Sequence, residues 1–347
     1  MTLGFALVMG GGVVLACADA DENTKPLDKS LGCIDTSCYD ANAPPPDTGS
    51  SGTSGGSSGY PNPIEGTSKS ATLVKGGYMF AEGPVWISDK LLFTDHRASP
   101  SLMLELYADG GAGTFRSGVN QANGLAVNPV TGELIACEHG THRVTKSPPT
   151  AAGNGQRVTI AGTWDGKPLN SPNDAVVRLD GNVYFTDPDY AANPDAGYRQ
   201  EKQGVFRVAP DGTLSRVKET DGLPNGIGLS PDGNRLYVVE NSLNLVDVWD
   251  LAADGTPINE RKFVDTGKGP DGMAVDLAGN IYVASEPGIE VFTNGGQKLG
   301  VITVPGVPTN CTFGGKDGQT LYITANTSGN QAASGLYSIK LNVPGLP

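Results

Sequence analysis

Short apolar runs, each cut after a few residues by glycine or a polar turn, fill the chain from Glu82 onward and recur in six copies. Every copy opens on a carboxylate or carboxamide residue followed by small and apolar ones. They read AEGPVW at Glu82, ANGLAV at Asn123, PNDAVV at Asn173, PNGIGL at Asn225, PDGMAV at Asp271 and TNCTFG at Asn310. A second apolar run follows about a dozen residues on, at Leu92–Thr94, Leu134–Ala136, Tyr184–Thr186, Tyr237–Val239, Tyr282–Ala284 and Tyr322–Thr324. Between the two runs lie turn residues: Ser88-Asp89, Thr131-Gly132, Asp180-Gly181, Asp232-Gly233, Ala278-Gly279 and Asp317-Gly318. This pattern predicts six antiparallel hairpins.

The copies stand 39 to 52 residues apart. A period of that length built from short strands predicts propeller blades, because one hairpin cannot bury both faces until its neighbours stack on it. The expected fold is all-β, a six-bladed β-propeller. Two strands are left over, Ala71–Lys75 before the first copy and Gly335–Leu341 at the end, and they are expected to share the last blade so that no edge stays open. No long stretch shows a helical period free of Gly and Pro, so helix is not expected.

Composition divides the chain at residue 67. Residues 67–347 are expected to form one propeller domain, since blades are not separate cores. Residues 1–17 hold an apolar stretch from Leu3 to Cys17, too short to span a bilayer, which reads as a signal peptide. Val14-Leu15-Ala16-Cys17 fits a lipoprotein signal with Cys17 as the lipidated residue, although no Lys or Arg precedes the apolar run. Residues 18–66 are poor in large apolar side chains and include DTGSSGTSGGSSG, the composition of a flexible linker. An exported protein is expected, either anchored in the cell envelope by its N-terminal lipid or secreted. Cys33 and Cys38 could pair in such a compartment, whereas Cys137 and Cys311 fall in expected strands as buried thiols.

A formal net charge of −13 excludes a nucleic-acid partner, which demands clustered Lys and Arg. Part of that negative charge is expected at a cation site. In a propeller the first strand of each blade lines the channel, so Glu82, Asn123, Asn173, Asn225, Asp271 and Asn310 converge on one mouth. They offer hard oxygen donors with no thiolate or imidazole, which is calcium chemistry, with Mg²⁺, Mn²⁺ or Zn²⁺ as competing ions. Any one of them reads equally well as a turn cap. Glu82, a poor turn residue in the same register, favours the cation.

A second set of polar residues follows the returning strands: Asp95 and His96, Glu138 and His139, Asp187 and Asp189, Glu240 and Asn241, and Glu286. Of the three histidines, His139 is the best placed for function and His142 the least. Trp86, Trp164 and Trp249 read as packing residues.

The runs NGLAVNPVTGELIACEHGTHRVTK, LNSPNDAVVRLDGNVYFTDPDY, PNGIGLSPDGNRLYVVE, PDGMAVDLAGNIYVAS and TNCTFGGKDGQTLYITA together resemble the gluconolactonase branch of the gluconolactonase, regucalcin (senescence marker protein) and luciferin-regenerating enzyme family, over about residues 76 to 330. The resemblance implies a six-bladed propeller with a divalent cation, usually Ca²⁺, at the top of its channel, and hydrolysis of sugar lactones. It puts Glu82, Asn173, Asn225 and Asp271 on the metal positions. Asn123, Glu138, His139, Arg143 and Asn173 are implied as substrate contacts. The chain departs from the TDPPYG of many relatives at Thr186-Asp187-Pro188-Asp189-Tyr190-Ala191, so the rim of the pocket differs.

A cation there would polarise a lactone carbonyl and stabilise its oxyanion with no covalent nucleophile. None is evident, as residues 67–347 contain no GxSxG. Asp271 is the candidate general base, although a carboxylate bound to a cation is a weaker one. The expected activity is Ca²⁺-dependent hydrolysis of a small-molecule sugar lactone by a monomer. Two alternatives keep the fold: a phosphotriesterase like diisopropyl fluorophosphatase, or a non-catalytic ligand-binding propeller.

Overall fold

The computed structural model describes residues 59–107, 109–190, 200–327 and 334–346. The expected signal segment, Cys17, the Cys33 and Cys38 pair and most of the linker lie outside the described residues. Among those described, strands build six four-stranded antiparallel sheets and one small two-stranded hairpin. No helix there is long and apolar enough to cross a membrane.

Each four-stranded sheet is one blade. The first strands, in order from blade 1 to blade 6, are Ala81–Ile87, Ala122–Val127, Ala175–Val177, Pro224–Leu229, Met273–Val275 and Val307–Gly314. Each touches the next and the sixth touches the first, so they close a ring. Blade 6 takes its outermost strand from the other end of the chain: Thr72–Tyr78 pairs with Ser334–Lys340, Thr72 opposite Ser338 and Tyr78 opposite Ser334. The two ends thus share the last blade as the leftover strands predict.

Alternation explains why the second strands read as unbroken apolar runs. Tyr184 packs against blade 4 with Leu236 and Trp249, while its neighbour Phe185 packs against blade 2 with Ile135 and Val144. Successive side chains of a strand point to opposite faces, and in this ring both faces are buried against a neighbour. Tyr282 and Val283 divide in the same way between blades 6 and 4.

Two features escape the sequence pattern. Asn62–Gly66, at the end of the linker by composition, lie against blade 6, where Ile64 is buried and the Asn62 and Glu65 carbonyls accept from the Asn342 carboxamide. A small hairpin, Thr163–Trp164 with Lys167–Pro168, turns on Asp165 and Gly166, both with positive φ as a two-residue turn of this kind requires.

Candidate active site

Five of the six ring residues sit within two residues of the start of a first strand and Asn310 is the fourth of Val307–Gly314, which sets them toward one end of the channel. Hydrogen bonds across the blade boundaries fix them there. Thr94 Oγ1 donates to the Asn123 carbonyl and Thr186 Oγ1 to the Asn225 carbonyl, each threonine reaching from the preceding blade. The backbone N–H of Gly124 donates to the Asn173 carbonyl, and that of Gly272 to the Thr309 carbonyl.

The side chains meet. Asn123 Nδ2 donates to Asn173 Oδ1 at 3.0 Å, Asn173 Nδ2 to Asn225 Oδ1 at 2.7 Å, and Asn225 Nδ2 to the Tyr190 hydroxyl at 2.7 Å. The Asn225 carboxamide also supports the Asp271 carboxylate. On the other side Asn310 Nδ2 donates to Asp174 Oδ2 at 3.3 Å, and the same carboxamide supports Glu82. Glu82, Asn123, Asn173, Asn225 and Asn310 are buried, whereas Asp271 keeps partial exposure. The structure therefore brings the ring together as the register predicts, and adds Asp174, which sequence reasoning passed over, and Tyr190, which it placed only at the rim.

Electrostatics at the ring are unfavourable to the protein by itself. Burial and then the nearby Asp271 charge push the Glu82 carboxyl well above the usual carboxylate range. Burial, with Asp174 close by, pushes Asp271 up to about 8, and burial pushes Asp174 up to about 7. Among the described residues none of the three makes an ion pair with Lys, Arg or His. Nor do three His, Cys, Asp or Glu side chains there group closely enough to hold a metal by themselves, so the asparagine carboxamides would have to complete any donor set.

Glu138 and Arg143 have other work. The fully buried Glu138 carboxylate accepts from Asn120 Nδ2 (2.8 Å), Thr141 Oγ1 (2.6 Å), Arg143 Nε (2.9 Å), Thr145 Oγ1 (3.0 Å) and Arg157 Nη1 (2.9 Å). Five donors exceed the four or so lone-pair directions of a carboxylate. That saturation makes Glu138 a brace within blade 2, with Arg143 as one of its ties.

His139 lies closer to the ring. Its Nε2 is buried with no hydrogen bond inside the protein, beside the Asn173 carboxamide. Burial and then the neighbouring His96 hold its imidazole well below the ordinary value, so it is neutral. The His96 ring packs edge-on against it, 4.6 Å between centroids, and is itself tied through Nδ1 to the Gln121 carbonyl. Two other returning-strand residues serve the backbone: Asp95 accepts from the Met79 and Phe80 N–H groups, and Asp187 from that of Asn170. Trp86 stacks on Tyr322, Trp164 packs edge-on to Phe206 and Trp249 is buried in a core cluster.

A closed six-bladed propeller whose channel mouth is lined by carboxylates and carboxamides is the class that this fold and site define. Residues 80–327 match the SMP-30/Gluconolactonase/LRE-like region, and the chain belongs to that family. A gluconolactonase from Zymomonas mobilis subsp. mobilis is 34% identical over 285 residues, 73% of this chain and 78% of its own. Among solved structures, a protein assigned to the gluconolactonases is 33% identical with a TM-score of 0.71, covering 82% of this chain and 95% of that one. The gluconolactonase XC5397 from Xanthomonas campestris is 31% identical with a TM-score of 0.67, covering 78% and 89%.

Proposed function

We propose that this protein is a lactonase that opens a sugar lactone such as an aldonolactone, with a divalent cation, Ca²⁺ by preference, held by Glu82, Asn173, Asn225 and Asp271. The lactone class is supported by the gluconolactonase relatives, which are similar along most of this chain. One observation carries the cation: three carboxylates crowd one end of the channel with raised proton affinities and no ion-pair partner among the described residues. Buried charge of one sign needs compensation, and a ring of hard oxygens suits Ca²⁺, which accepts irregular geometry. When bound, the cation supplies positive charge that polarises the ester carbonyl and favours its oxyanion.

The chain's own residues supply the rest. Asp271, the partly exposed ring carboxylate, is placed to accept the proton of the attacking water; of its two oxygens one can serve the cation and the other the water. Asn123 and the unpaired Nε2 of His139 offer polar contacts to the sugar hydroxyls beside Asn173. The Asn123–Asn173–Asn225–Tyr190 chain of hydrogen bonds keeps the carboxamides oriented before substrate arrives.

The test is hydrolysis of an aldonolactone panel by the full chain, with a phosphotriester in parallel, before and after chelation and with Ca²⁺, Mg²⁺, Mn²⁺ or Zn²⁺ restored. Lactone turnover that chelation removes and Ca²⁺ restores is expected. Turnover of the phosphotriester alone, or of nothing in any metal, would overturn the reading.

A further inference from the structure

The residues that follow the six ring positions are Gly83, Gly124, Asp174, Gly226, Gly272 and Cys311. Four of these are glycine for a steric reason. A Cβ would lie 2.0 Å from the Asn123 carbonyl oxygen at Gly83, 2.4 Å from Asp174 Oδ1 at Gly124, 2.6 Å from the Asp271 carbonyl oxygen at Gly226 and 2.1 Å from Asn310 Cγ at Gly272. Adjacent blades close on these positions, and real Cβ atoms do not tolerate such approaches. Blade 3 alone sets a charged side chain there.

That side chain crosses the ring. Asp174 belongs to blade 3, yet its Oδ2 accepts from Asn310 Nδ2 of blade 6, the blade opposite in a ring of six. A hydrogen bond between opposite blades puts the carboxylate at the channel axis. It is buried, at 6% exposure, and its Oδ1 accepts the Ala175 N–H at 3.0 Å. The Asn310 carboxamide that holds it also supports Glu82, and its charge is felt at both Glu82 and Asp271.

We propose that Asp174 is a positioning residue for the cation: an axial third negative charge, tied to Ala175 and Asn310, that raises the affinity of the Glu82 and Asp271 carboxylates for a divalent ion. The inference rests on the cation reading given above. It explains why a costly buried carboxylate replaces glycine in one blade, since charge count around a site tunes its affinity for a divalent cation. It also makes Asn310 a bridge between the axial charge and Glu82.

The test is calorimetric titration of the chelator-stripped full chain with CaCl₂, for the wild type, Asp174→Asn, and the swap Asp174→Asn with Asn310→Asp. The swap returns the charge to the same hydrogen-bonded pair with donor and acceptor exchanged. Asp174→Asn is expected to weaken the Ca²⁺ Kd by about tenfold or more, and the swap to recover most of that loss. A merely structural role would instead lower the melting temperature of the metal-free protein and leave Kd in place. Asp174→Ser removes the charge while its hydroxyl can still accept from Asn310 Nδ2, and makes the same comparison if Asp174→Asn fails to fold. Wild-type Kd in the neutral variants, or a swap that binds as weakly as the single variant, would overturn the proposal. A wild-type chain that binds no divalent cation would overturn the cation reading itself, and this proposal with it.

Discussion

Gly226 donates its backbone N–H to the Asp271 carbonyl at 3.0 Å, across the seam between blades 4 and 5. The contact is possible because Gly226 has no side chain: a Cβ would stand 2.6 Å from that oxygen and 2.8 Å from the Gly272 Cα. Gly226→Ala must spread the seam, and is expected to cost about 1–3 kcal/mol. Chemical denaturation measures it, with Gly155→Ala as control, since nothing lies within 4 Å of a Cβ there. Equal midpoints for the two variants would refute the close-packed seam.

Neutralising the ring carboxylates should separate activity from stability. Asp271→Asn and Glu82→Gln each remove a crowded negative charge, so the metal-free melting temperature is expected to hold or rise. Lactone hydrolysis is expected to fall by about a hundredfold or more. Wild-type rates in either variant would remove that residue from the chemistry.

Acid should favour the metal-free protein at this site and weaken its hold on a cation. Asp174 and Asp271 are pushed up to about 7 and about 8 when folded, against about 4 in an unfolded chain. Their share of stability is therefore whole below about pH 4 and drains away as pH rises through 7 and 8. A cation competes with those protons, so the rise in melting temperature on adding Ca²⁺ is expected to be larger at pH 8.5 than at pH 5.5. Thermal denaturation with and without chelator reads the difference, and an increment that does not change with pH would exclude Asp271 from binding the cation and Asp174 from acting on it.

Glu138 is expected to govern folding. Glu138→Ala strands the partly buried Arg143 and Arg157 donors and the Asn120, Thr141 and Thr145 donors, a loss of about 1–3 kcal/mol. In urea the midpoint should drop accordingly, while KM at a permissive temperature stays near that of the wild type. A raised KM with an unshifted midpoint would restore Glu138 to the substrate.

Much of this was written in the sequence, because a hairpin is local. Tyr184 and Phe185 sit in one run, the turn at Asp180-Gly181 precedes them, and the register that aligns Asn173 with Asn225 can be counted along the chain. The sharing of blade 6 was legible for a related reason, since two strands were left without partners. What stayed hidden depends on the third dimension. Glu138 looks like a loop carboxylate until Arg157, nineteen positions on, folds back to it at 2.9 Å. Asp174 reads as half of an Asn-Asp turn. Its difference emerges only when it is set in register with Gly83, Gly124, Gly226 and Gly272, and its reach to Asn310 needs the closed ring.

Because Thr72–Tyr78 must wait for Ser334–Lys340, the circle cannot be sealed until residue 340 has been made. During synthesis the early blades would stand as an open arc with an unsatisfied flank, exposed until Ser334–Lys340 leave the ribosome. Loss of Ser334–Lys340 would therefore undo the whole wheel.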